Sequence, residues 1–284
     1  MAFLPDFERR KIGNTAVWVA PKRATPSDLS LFAEADRLFD RPECEIVKDQ
    51  RKIKVARLDL NLGGRTYSVY LKRFNCFSWR VKLGSFFMPS GAAKSLRGAA
   101  ILSNAGISSA KPVAAVEIRS WGFVTKSFFI TEEINGGKTV DRYWRGALAA
   151  LAEREGYHRR RLFMEGLALL FRSLHEQGVY HNDLKDANIL VVKGERSLND
   201  SFFLLDLEGI RNYKQLSQRR RIKNLVQLNR TLGRYVRRAA KLYFLKHYLG
   251  PDFLDQGEKW YWEKKILRQS RRLDRCKLPD GALQ

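Results

Sequence analysis

The sequence predicts an α+β fold in which a β-rich half precedes a mainly helical half. Apolar residues alternate with period two in the segments 52–62 and 65–74, on either side of a Gly-Gly pair. This pattern is typical of an antiparallel hairpin. After about residue 135 the apolar residues recur at helical spacing instead, most clearly in 160–178 and 219–236. Because 44% of the 284 residues are hydrophobic, the chain can build a sizeable core.

The β-rich half contains further elements on both sides of the hairpin. We expect a strand, a loop and a short helix within the first 45 residues. The segment 90–107 has apolar and small residues along one side at helical spacing, which predicts a helix. The segment 111–134 predicts two strands joined at a short turn. Residues 1–133 are therefore predicted to form an N-lobe, and residues 134–284 a helical C-lobe.

The charge of the chain restricts its partners. The sequence has 53 Lys and Arg residues against 30 Asp and Glu, a net charge of +23. Such a field favours phosphates, nucleic acid or an anionic membrane surface. Cys44, Cys76 and Cys276 lie far apart, so we expect no disulfide framework or zinc site, and a reducing cytosol fits best. We find no secretory signal and no apolar run of about 18 residues, so no segment is expected to span a membrane.

The segment VYHNDLKDANILV, residues 179–191, carries the strongest functional signal. Phosphoryl transfer from ATP needs a carboxylate to orient the acceptor hydroxyl, ligands for magnesium and a cation on the phosphates. Asp183, Lys185 and Asn188 follow the order D-x-K-x-x-N, with His181 two residues earlier, which matches a kinase catalytic loop. In this interpretation Asp183 accepts the hydroxyl proton, Lys185 stabilises the transferred phosphoryl group and Asn188 binds magnesium. The alternative is a polar turn with incidental residues.

Two further residues support the functional interpretation. The segment FFLLDLEGIR, residues 202–211, is an apolar strand that ends at Asp206, where a second metal ligand is expected. Asp206 takes the place of the Asp in Asp-Phe-Gly, and Glu208 stands in place of Gly. Lys72 lies in the strand after the Gly-Gly hairpin, where a kinase fold places its phosphate-binding lysine. The alternatives are a capping aspartate and a solvated edge lysine, but the order of the three elements favours the kinase interpretation.

With these motifs in place, the sequence resembles the lipopolysaccharide kinase family, the Kdo and heptose kinases of the Gram-negative envelope and relatives of the protein kinases. The resemblance extends from about Lys52 to Leu267. The segments that carry it are YLKRF, NAGISSAKPVA, ITEEI, LHEQGVYHNDLKDANILV, LLDLEGIR and KNLVQLNRTLGRY.

The resemblance implies a two-lobed protein-kinase-like fold, with an antiparallel β-sheet in the N-lobe and a mainly helical C-lobe. It implies ATP and Mg2+ as cofactors, with the metal held by Asn188 and Asp206. By analogy, the backbone of Glu132, Glu133 and Ile134 would hold the adenine. The implied acceptor is a heptose or Kdo of the lipopolysaccharide inner core. Such an enzyme works in the cytoplasm, at the inner membrane of a Gram-negative bacterium.

The sequence departs from the usual kinase pattern in its N-lobe. The phosphate-covering loop is expected near residues 48–52, where KDQRK is basic rather than glycine-rich. No Asp or Glu occurs from Leu60 through Val116, so the helix glutamate that usually pairs with the strand lysine is missing. We expect Lys72 either to pair with another carboxylate, with Asp206 as the candidate, or to stay unpaired until ATP binds.

The catalytic loop and the segment after it also depart from the protein-kinase pattern. Asn182 replaces the Arg of His-Arg-Asp, and the helical pattern resumes by about Arg219 with no Ala-Pro-Glu motif. A protein kinase needs a longer activation segment to dock peptides. A protein substrate and control by loop phosphorylation are therefore not expected.

The charge distribution bears on the acceptor. Residues 211–275 hold 19 Lys or Arg against 5 Asp or Glu, which suits an anionic lipid-linked core oligosaccharide or an anionic membrane surface. Aromatic residues among these charges belong either to an interfacial surface or to the core; they are Phe244, Trp260, Tyr261 and Trp262. Three hypotheses stay open: a lipopolysaccharide core sugar kinase, a nucleic-acid-associated kinase and a pseudokinase scaffold. Nucleic acid is disfavoured because no recognition module accompanies the charge.

Overall fold

The computed structural model describes residues 7–20, 25, 28–75, 84–194 and 199–275. The strands of its first half are Glu8–Ile12 (β1), Thr15–Val19 (β2), Glu45–Asp49 (β3), Ile53–Leu62 (β4), Arg65–Asn75 (β5), Pro112–Ser120 (β6) and Phe123–Glu132 (β7). They form one antiparallel sheet in the order β1-β2-β6-β7-β5-β4-β3. The helices of this half are Asp28–Ala33 (α1) and Gly91–Asn104 (α2). Cys44 is half-buried, whereas Cys76 and Cys276 lie outside the described residues.

The hairpin predicted around the Gly-Gly pair is confirmed. β4 and β5 pair antiparallel, and Gly63 and Gly64 have φ values of 56° and 77°, as a two-residue type I′ turn requires. β5 pairs with β7 on its other side, so Lys72 lies between Val55 and Phe129 within the sheet.

The core of the sheet follows the alternation visible in the sequence. Leu58, Leu60 and Leu62 of β4 are buried, because alternate side chains of a strand share one face. They pack with Phe32 of α1 and Phe128 of β7 in one apolar cluster. Burial of one face specifies the register of the paired strands, including the strand that carries the candidate lysine.

The second half of the chain is mainly helical. Its α-helices are Val140–Tyr143 (α3), Glu153–Glu176 (α4), Gln218–Arg230 (α5), Arg238–Leu249 (α6) and Gln256–Arg275 (α7). Its short strands are Lys138–Thr139 (β8), Val179–His181 (β9), Ile189–Val192 (β10), Ser201–Leu204 (β11) and Ile210–Asn212 (β12). β11, β10 and β8 form a three-stranded sheet, and β9 pairs with β12.

The helix expected over residues 219–236 is shorter than predicted. α5 ends before a 3-10 turn at Leu232–Arg234. The hydroxyl of Thr231 donates to the carbonyl groups of Gln227 and Leu228, each at 3.2 Å, and such side-chain bonds compete with the helical ladder. The apolar spacing continues through the turn, so periodicity alone could not reveal the break.

The chain divides into two compact units. Unit 1 comprises Met1–Ser103, Ala110–Ile134 and Asp206–Ile210, and unit 2 comprises Asn104–Ser109, Asn135–Leu205 and Arg211–Gln284. An antiparallel sheet followed by a mainly helical part confirms the predicted α+β class. The lobe boundaries, 1–133 and 134–284, stay a prediction. Within the described ranges, no helix is both long and apolar enough to cross a membrane.

Candidate active site

In unit 1, Lys72 forms an ion pair with Asp206. The Nζ atom of Lys72 lies 2.5 Å from Oδ1 of Asp206 and 4.8 Å from the centre of the Phe74 ring. Of the two alternatives for Lys72, the structure therefore has the pair with Asp206. The two side chains are 20% and 33% exposed, so solvent reaches the pair.

The turn that carries Asp206 has an unusual backbone. Asp206 has φ 57° and ψ 54°, a left-handed conformation that aspartate tolerates better than most residues. It precedes a 3-10 turn at Leu207–Gly209. Gly98 of α2 lies against this turn, since a Cβ atom added there would be 2.1 Å from the carbonyl oxygen of Leu207. Only glycine fits, and α2 thus makes a close backbone contact where a kinase helix usually supplies a carboxylate.

The residues predicted to hold adenine lie at the end of β7 and just after it. The N–H of Glu132 donates to the carbonyl group of Lys111 at 2.9 Å, and the N–H of Glu133 donates to a carbonyl group of β5 at 2.8 Å. The carboxylate of Glu133 pairs with the guanidinium of Arg57 at 2.8 Å. The N–H groups of Glu132 and Glu133 are thus engaged within the fold, so the predicted backbone contacts with adenine would use their carbonyl groups or the backbone of Ile134.

The predicted phosphate-covering loop is the tight turn between β3 and β4. Gln50 and Ile53 exchange two backbone hydrogen bonds of 2.9 and 3.1 Å. The side chains of Arg51 and Lys52 on this turn, and of Lys48 at the end of β3, are exposed. It therefore presents cationic side chains where a glycine-rich loop would present backbone N–H groups.

In unit 2, the catalytic-loop side chains lie together. The Nζ atom of Lys185 is 2.7 Å from Oδ2 of Asp183. The amide nitrogen of Asn188 donates to the carbonyl oxygen of Asp183 at 2.7 Å and to its Oδ2 at 3.1 Å. These bonds use the amide nitrogen of Asn188, so its amide oxygen is the atom suited to a metal. The Asp183 side chain is 45% exposed and thus accessible to an acceptor hydroxyl.

His181 is fully buried and holds the loop in place. Its Nδ1 accepts the N–H of Asp183 at 3.1 Å. The proton is therefore on Nε2, which donates to the carbonyl group of Leu205 at 2.8 Å. The N–H of Leu205 donates in turn to the carbonyl group of Asn188 at 2.9 Å. These bonds connect the catalytic loop to the chain immediately before Asp206.

Two amide side chains of α5 hold the backbone of the catalytic loop. The Nδ2 atom of Asn224 donates to the carbonyl group of His181 at 2.6 Å. The Oε1 atom of Gln227 accepts the N–H of Leu184 at 3.1 Å, and its Nε2 donates to the carbonyl group of Asn182 at 2.7 Å. Neither residue is among those predicted from the sequence. The available signal was an asparagine within the apolar face of α5, where Asn224 is 0% exposed.

A histidine and a tyrosine extend this network into the helical core. Nε2 of His175 lies 3.2 Å from Oδ1 of Asn224, and its Nδ1 lies 2.8 Å from the hydroxyl of Tyr248. Because the amide oxygen only accepts, Nε2 carries the proton and the tyrosine hydroxyl donates to Nδ1. Burial lowers the pKa of His175 to about 4 and raises the pKa of Tyr248. The network is therefore uncharged near neutral pH.

Each of the two expected metal ligands offers a side-chain oxygen. Among the residues that the structure describes, no group of three or more His, Cys, Asp or Glu side chains is placed to hold a metal ion. Asn188 supplies an amide oxygen and Asp206 a carboxylate. Mg2+ in nucleotide sites takes one or two protein carboxylates and completes its shell with waters and phosphate oxygens, so these donors fit that ion. The roles assigned to all the candidate residues stay predictions.

The four aromatic residues of the basic segment have different environments. Phe244 and Trp262 are buried and pack on Tyr248, so they belong to the core. Trp260 is 60% exposed, and the Nζ atom of Lys264 lies 4.0 Å from the centre of its ring. Tyr261 is half-buried. The core alternative is therefore correct for Phe244 and Trp262.

Comparisons with known proteins agree with the geometry. The model of the lipopolysaccharide kinase (Kdo/WaaP) family matches residues 80–248, more than half of the chain. The structure of WaaP in complex with acyl carrier protein matches with a TM-score of 0.60 and 18% sequence identity, over 86% of this chain and 97% of that chain. At this identity the match concerns the fold alone.

A curated plant relative matches over a shorter segment. CBL-interacting protein kinase 21 of Oryza sativa subsp. japonica is 39% identical over 77 residues, which is 27% of this chain. This chain spans 14% of the length of that relative.

The family match confirms the family that the catalytic-loop and strand motifs predicted, and the fold match confirms a kinase-like fold. The enzyme class predicted from the motifs, a phosphotransferase with an alcohol group as acceptor, is the class of that family. The chain belongs to the lipopolysaccharide kinase (Kdo/WaaP) family.

Proposed function

We propose that this chain is an ATP-dependent kinase that phosphorylates a sugar hydroxyl of the lipopolysaccharide inner core, on a heptose or Kdo. The observation that carries the proposal is the accessible carboxylate of Asp183, with Lys185 and Asn188 bonded to it at 2.7 and 3.1 Å. This arrangement occurs in a chain of the lipopolysaccharide kinase family. The lipid-linked acceptor places the enzyme in the cytoplasm, at the inner membrane of a Gram-negative bacterium.

Each candidate residue has one task in this reaction. Asp183 accepts the proton of the acceptor hydroxyl. The hydroxyl oxygen attacks the γ-phosphorus of ATP, and the bond from that phosphorus to the ADP oxygen breaks. Lys185 stabilises the charge on the transferred phosphoryl group. Lys72 exchanges its partner Asp206 for the phosphates of ATP. Asn188 and Asp206 would hold Mg2+, which supplies positive charge to the phosphate oxygens when it is bound.

The test is mass spectrometry of core lipopolysaccharide from a strain that lacks the protein. Wild type should restore a phosphate on a core sugar, and Asp183→Ala should not, because the reaction loses its base. The exposed Asp252→Ala is the matched control and should complement fully. Equal complementation by wild type and Asp183→Ala would contradict the mechanism, and a deletion that removes no phosphate would contradict the acceptor.

Two alternatives use the same fold. A pseudokinase scaffold predicts no magnesium-dependent binding and turnover of ATP by the purified protein. A nucleic-acid-associated kinase predicts strong RNA binding that weakens with rising salt, together with unchanged envelope phosphate in the deletion strain. The presence of Asp183, Asn188 and Asp206 favours the enzyme over the scaffold.

A cavity in unit 2 favours one additional partner, an acyl carrier protein, which is the partner in the matched WaaP structure. The cavity has a volume of about 490 Å³ and is lined by apolar side chains that include Met164, Leu228 and Ile266, together with Arg238 and Lys241. Its apolar wall suits an acyl group. The wild type should copurify with the acyl carrier protein, and Ile266→Asp should abolish this copurification. Copurification that persists in Ile266→Asp would contradict this partner.

A further inference from the structure

Four exposed apolar side chains lie on two neighbouring segments of unit 1. Phe86, Phe87 and Met88 follow each other on one helical turn and are 61%, 88% and 65% exposed, and Trp121 on the β6–β7 turn is 94% exposed. The ring of Phe86 would be 3.6 Å from a Cβ atom at Gly122, next to the tryptophan. We call these four residues the Trp121 patch. Such a cluster marks an interaction surface, in contrast to apolar residues that are scattered singly.

The backbone at Trp121 is an independent sign of a role at the surface. Trp121 and Gly122 are the two central residues of the β6–β7 hairpin, with φ values of 52° and 81°. Turns with two positive φ angles favour Asn-Gly or Asp-Gly, and a positive φ is strained for a bulky residue. The turn keeps this strained tryptophan although its side chain is not packed in the core, which suggests a role outside the folded chain.

The segment that carries most of the patch has no acidic residue. Three of its four residues lie in the stretch from Leu60 through Val116, which contains no Asp or Glu. The guanidinium of Arg119 donates to the carbonyl group of Gly122 at 2.9 Å, at the foot of the turn. Arg119 also forms an ion pair of 2.9 Å with Glu117, whose side chain is only 4% exposed, so the two residues together add no net charge. The patch therefore combines aromatic and apolar side chains with a segment free of acidic residues, in a chain whose net charge is +23.

We propose that the Trp121 patch inserts into the interfacial region of an anionic lipid bilayer. Trp is enriched at the headgroup level and Phe at the boundary of the acyl chains, and the net charge of +23 complements anionic headgroups. Four side chains expose on the order of a few hundred Å². This area is below the roughly 800 Å² that each partner contributes to a standard protein–protein interface, which favours a lipid surface over a second copy of the chain. The inference does not depend on the proposed kinase reaction.

The test is cosedimentation of the full-length protein with vesicles, without nucleotide. We expect binding to vesicles of phosphatidylglycerol and phosphatidylcholine in equal parts, weaker binding to phosphatidylcholine alone, and further weakening at high salt. The double variant Trp121→Asn/Phe87→Ser should lower the partition coefficient by about tenfold or more. The control Trp260→Asn changes an exposed tryptophan of unit 2 and should leave binding unchanged.

The variants also separate folding and self-association from lipid binding. Asn suits the positive φ at residue 121, so Trp121→Asn alone should keep or raise the thermal midpoint. If the double variant is unstable, the lipid binding of this single variant tests the proposal. Wild-type binding by Trp121→Asn, loss of binding in Trp260→Asn, or no binding by the wild type would overturn the proposal. A wild-type dimer that the variant dissociates, seen by sedimentation velocity, would overturn it as well. Kinase activity on a soluble acceptor is measured separately, so a failure of the proposed kinase function is distinguished from a failure of the lipid-binding proposal.

Discussion

The catalytic loop of unit 2 and the Lys72–Asp206 pair of unit 1 are held in different ways. The loop is fixed by buried, uncharged groups, with Asn224 and His175 in the network behind it. The pair is charged and partly exposed, and α2 contributes no carboxylate to it. Buried amides are costly to separate, whereas an ion pair in contact with solvent exchanges partners easily. The comparison teaches that buried groups fix the backbone that carries Asp183, the proposed base, whereas Lys72, the proposed phosphate-binding residue, is held only by a partly exposed ion pair that can exchange partners.

Removing the buried amide should have the largest effect on the stability of the protein. Asn224→Leu leaves the carbonyl group of His181 and the Nε2 proton of His175 without their partners. We expect the free energy of unfolding to fall by about 3 kcal/mol. Urea denaturation measures it. The matched control on the same helix is Asn229→Leu, which loses one bond to Ser270 and should cost about 1 kcal/mol. Equal losses in the two variants would contradict the special role of the network.

The same network should make stability depend on pH. The pKa of His175 is lowered from 6.5 to about 4, so the unfolded chain binds its proton more readily than the folded chain. Stability is therefore complete above pH 6.5 and declines as pH falls towards 4. Between pH 7 and pH 5, the wild type should lose about 2 kcal/mol more than His175→Gln. Identical losses, measured by urea denaturation at the two pH values, would show that His175 is not buried in its neutral form.

A methyl group at Gly98 should disturb the turn of Asp206. The added Cβ atom would meet the carbonyl oxygen of Leu207 at 2.1 Å, so α2 or the turn must shift. We expect Gly98→Ala to lower the free energy of unfolding by about 2 kcal/mol and to weaken ATP binding, measured by calorimetry. Gly146→Ala has open space around the added atom and serves as the control. A gain in stability for Gly98→Ala would show that the close contact is absent.

Lys72→Met should have the smallest effect on stability and a large effect on activity. Lys72→Met removes a partly exposed ion pair, which is worth about 1 kcal/mol or less. Without this cation on the phosphates, the rate of ATP turnover should fall by about 100-fold or more. Thermal unfolding and a coupled ATPase assay give the two numbers. If Lys72→Met were strongly destabilised, or turned over ATP normally, the contrast between the catalytic loop and the Lys72–Asp206 pair would be contradicted.

Local patterns in the sequence predicted the parts of the molecule that depend on neighbouring residues. The alternation around the Gly-Gly pair predicted the β4–β5 hairpin. The D-x-K-x-x-N spacing predicted that Asp183, Lys185 and Asn188 lie on one loop. The partner of Lys72 was one of two stated alternatives, because the missing helix glutamate left few carboxylates.

Contacts between distant segments were not predictable in this way. Asn224 holds a carbonyl group 43 residues earlier in the chain, and Gly98 meets a turn near residue 207; neither contact has a local signature. Aromatic content also did not separate core from surface. Phe244 and Trp262 are buried in the basic segment, whereas Trp121 of the β6–β7 turn is exposed. Tertiary packing decides which side chains are in contact with solvent.

The most direct test of the central claim uses purified protein, radiolabelled ATP and a deacylated core oligosaccharide that lacks its phosphate. Wild type should transfer the label to the sugar in the presence of magnesium. Asp183→Asn should bind ATP with unchanged affinity and transfer label about 10³-fold more slowly, because only proton acceptance from the hydroxyl is lost. Equal rates of transfer by the two proteins, or no transfer to the oligosaccharide by the wild type, would contradict a sugar kinase that uses Asp183 as its base.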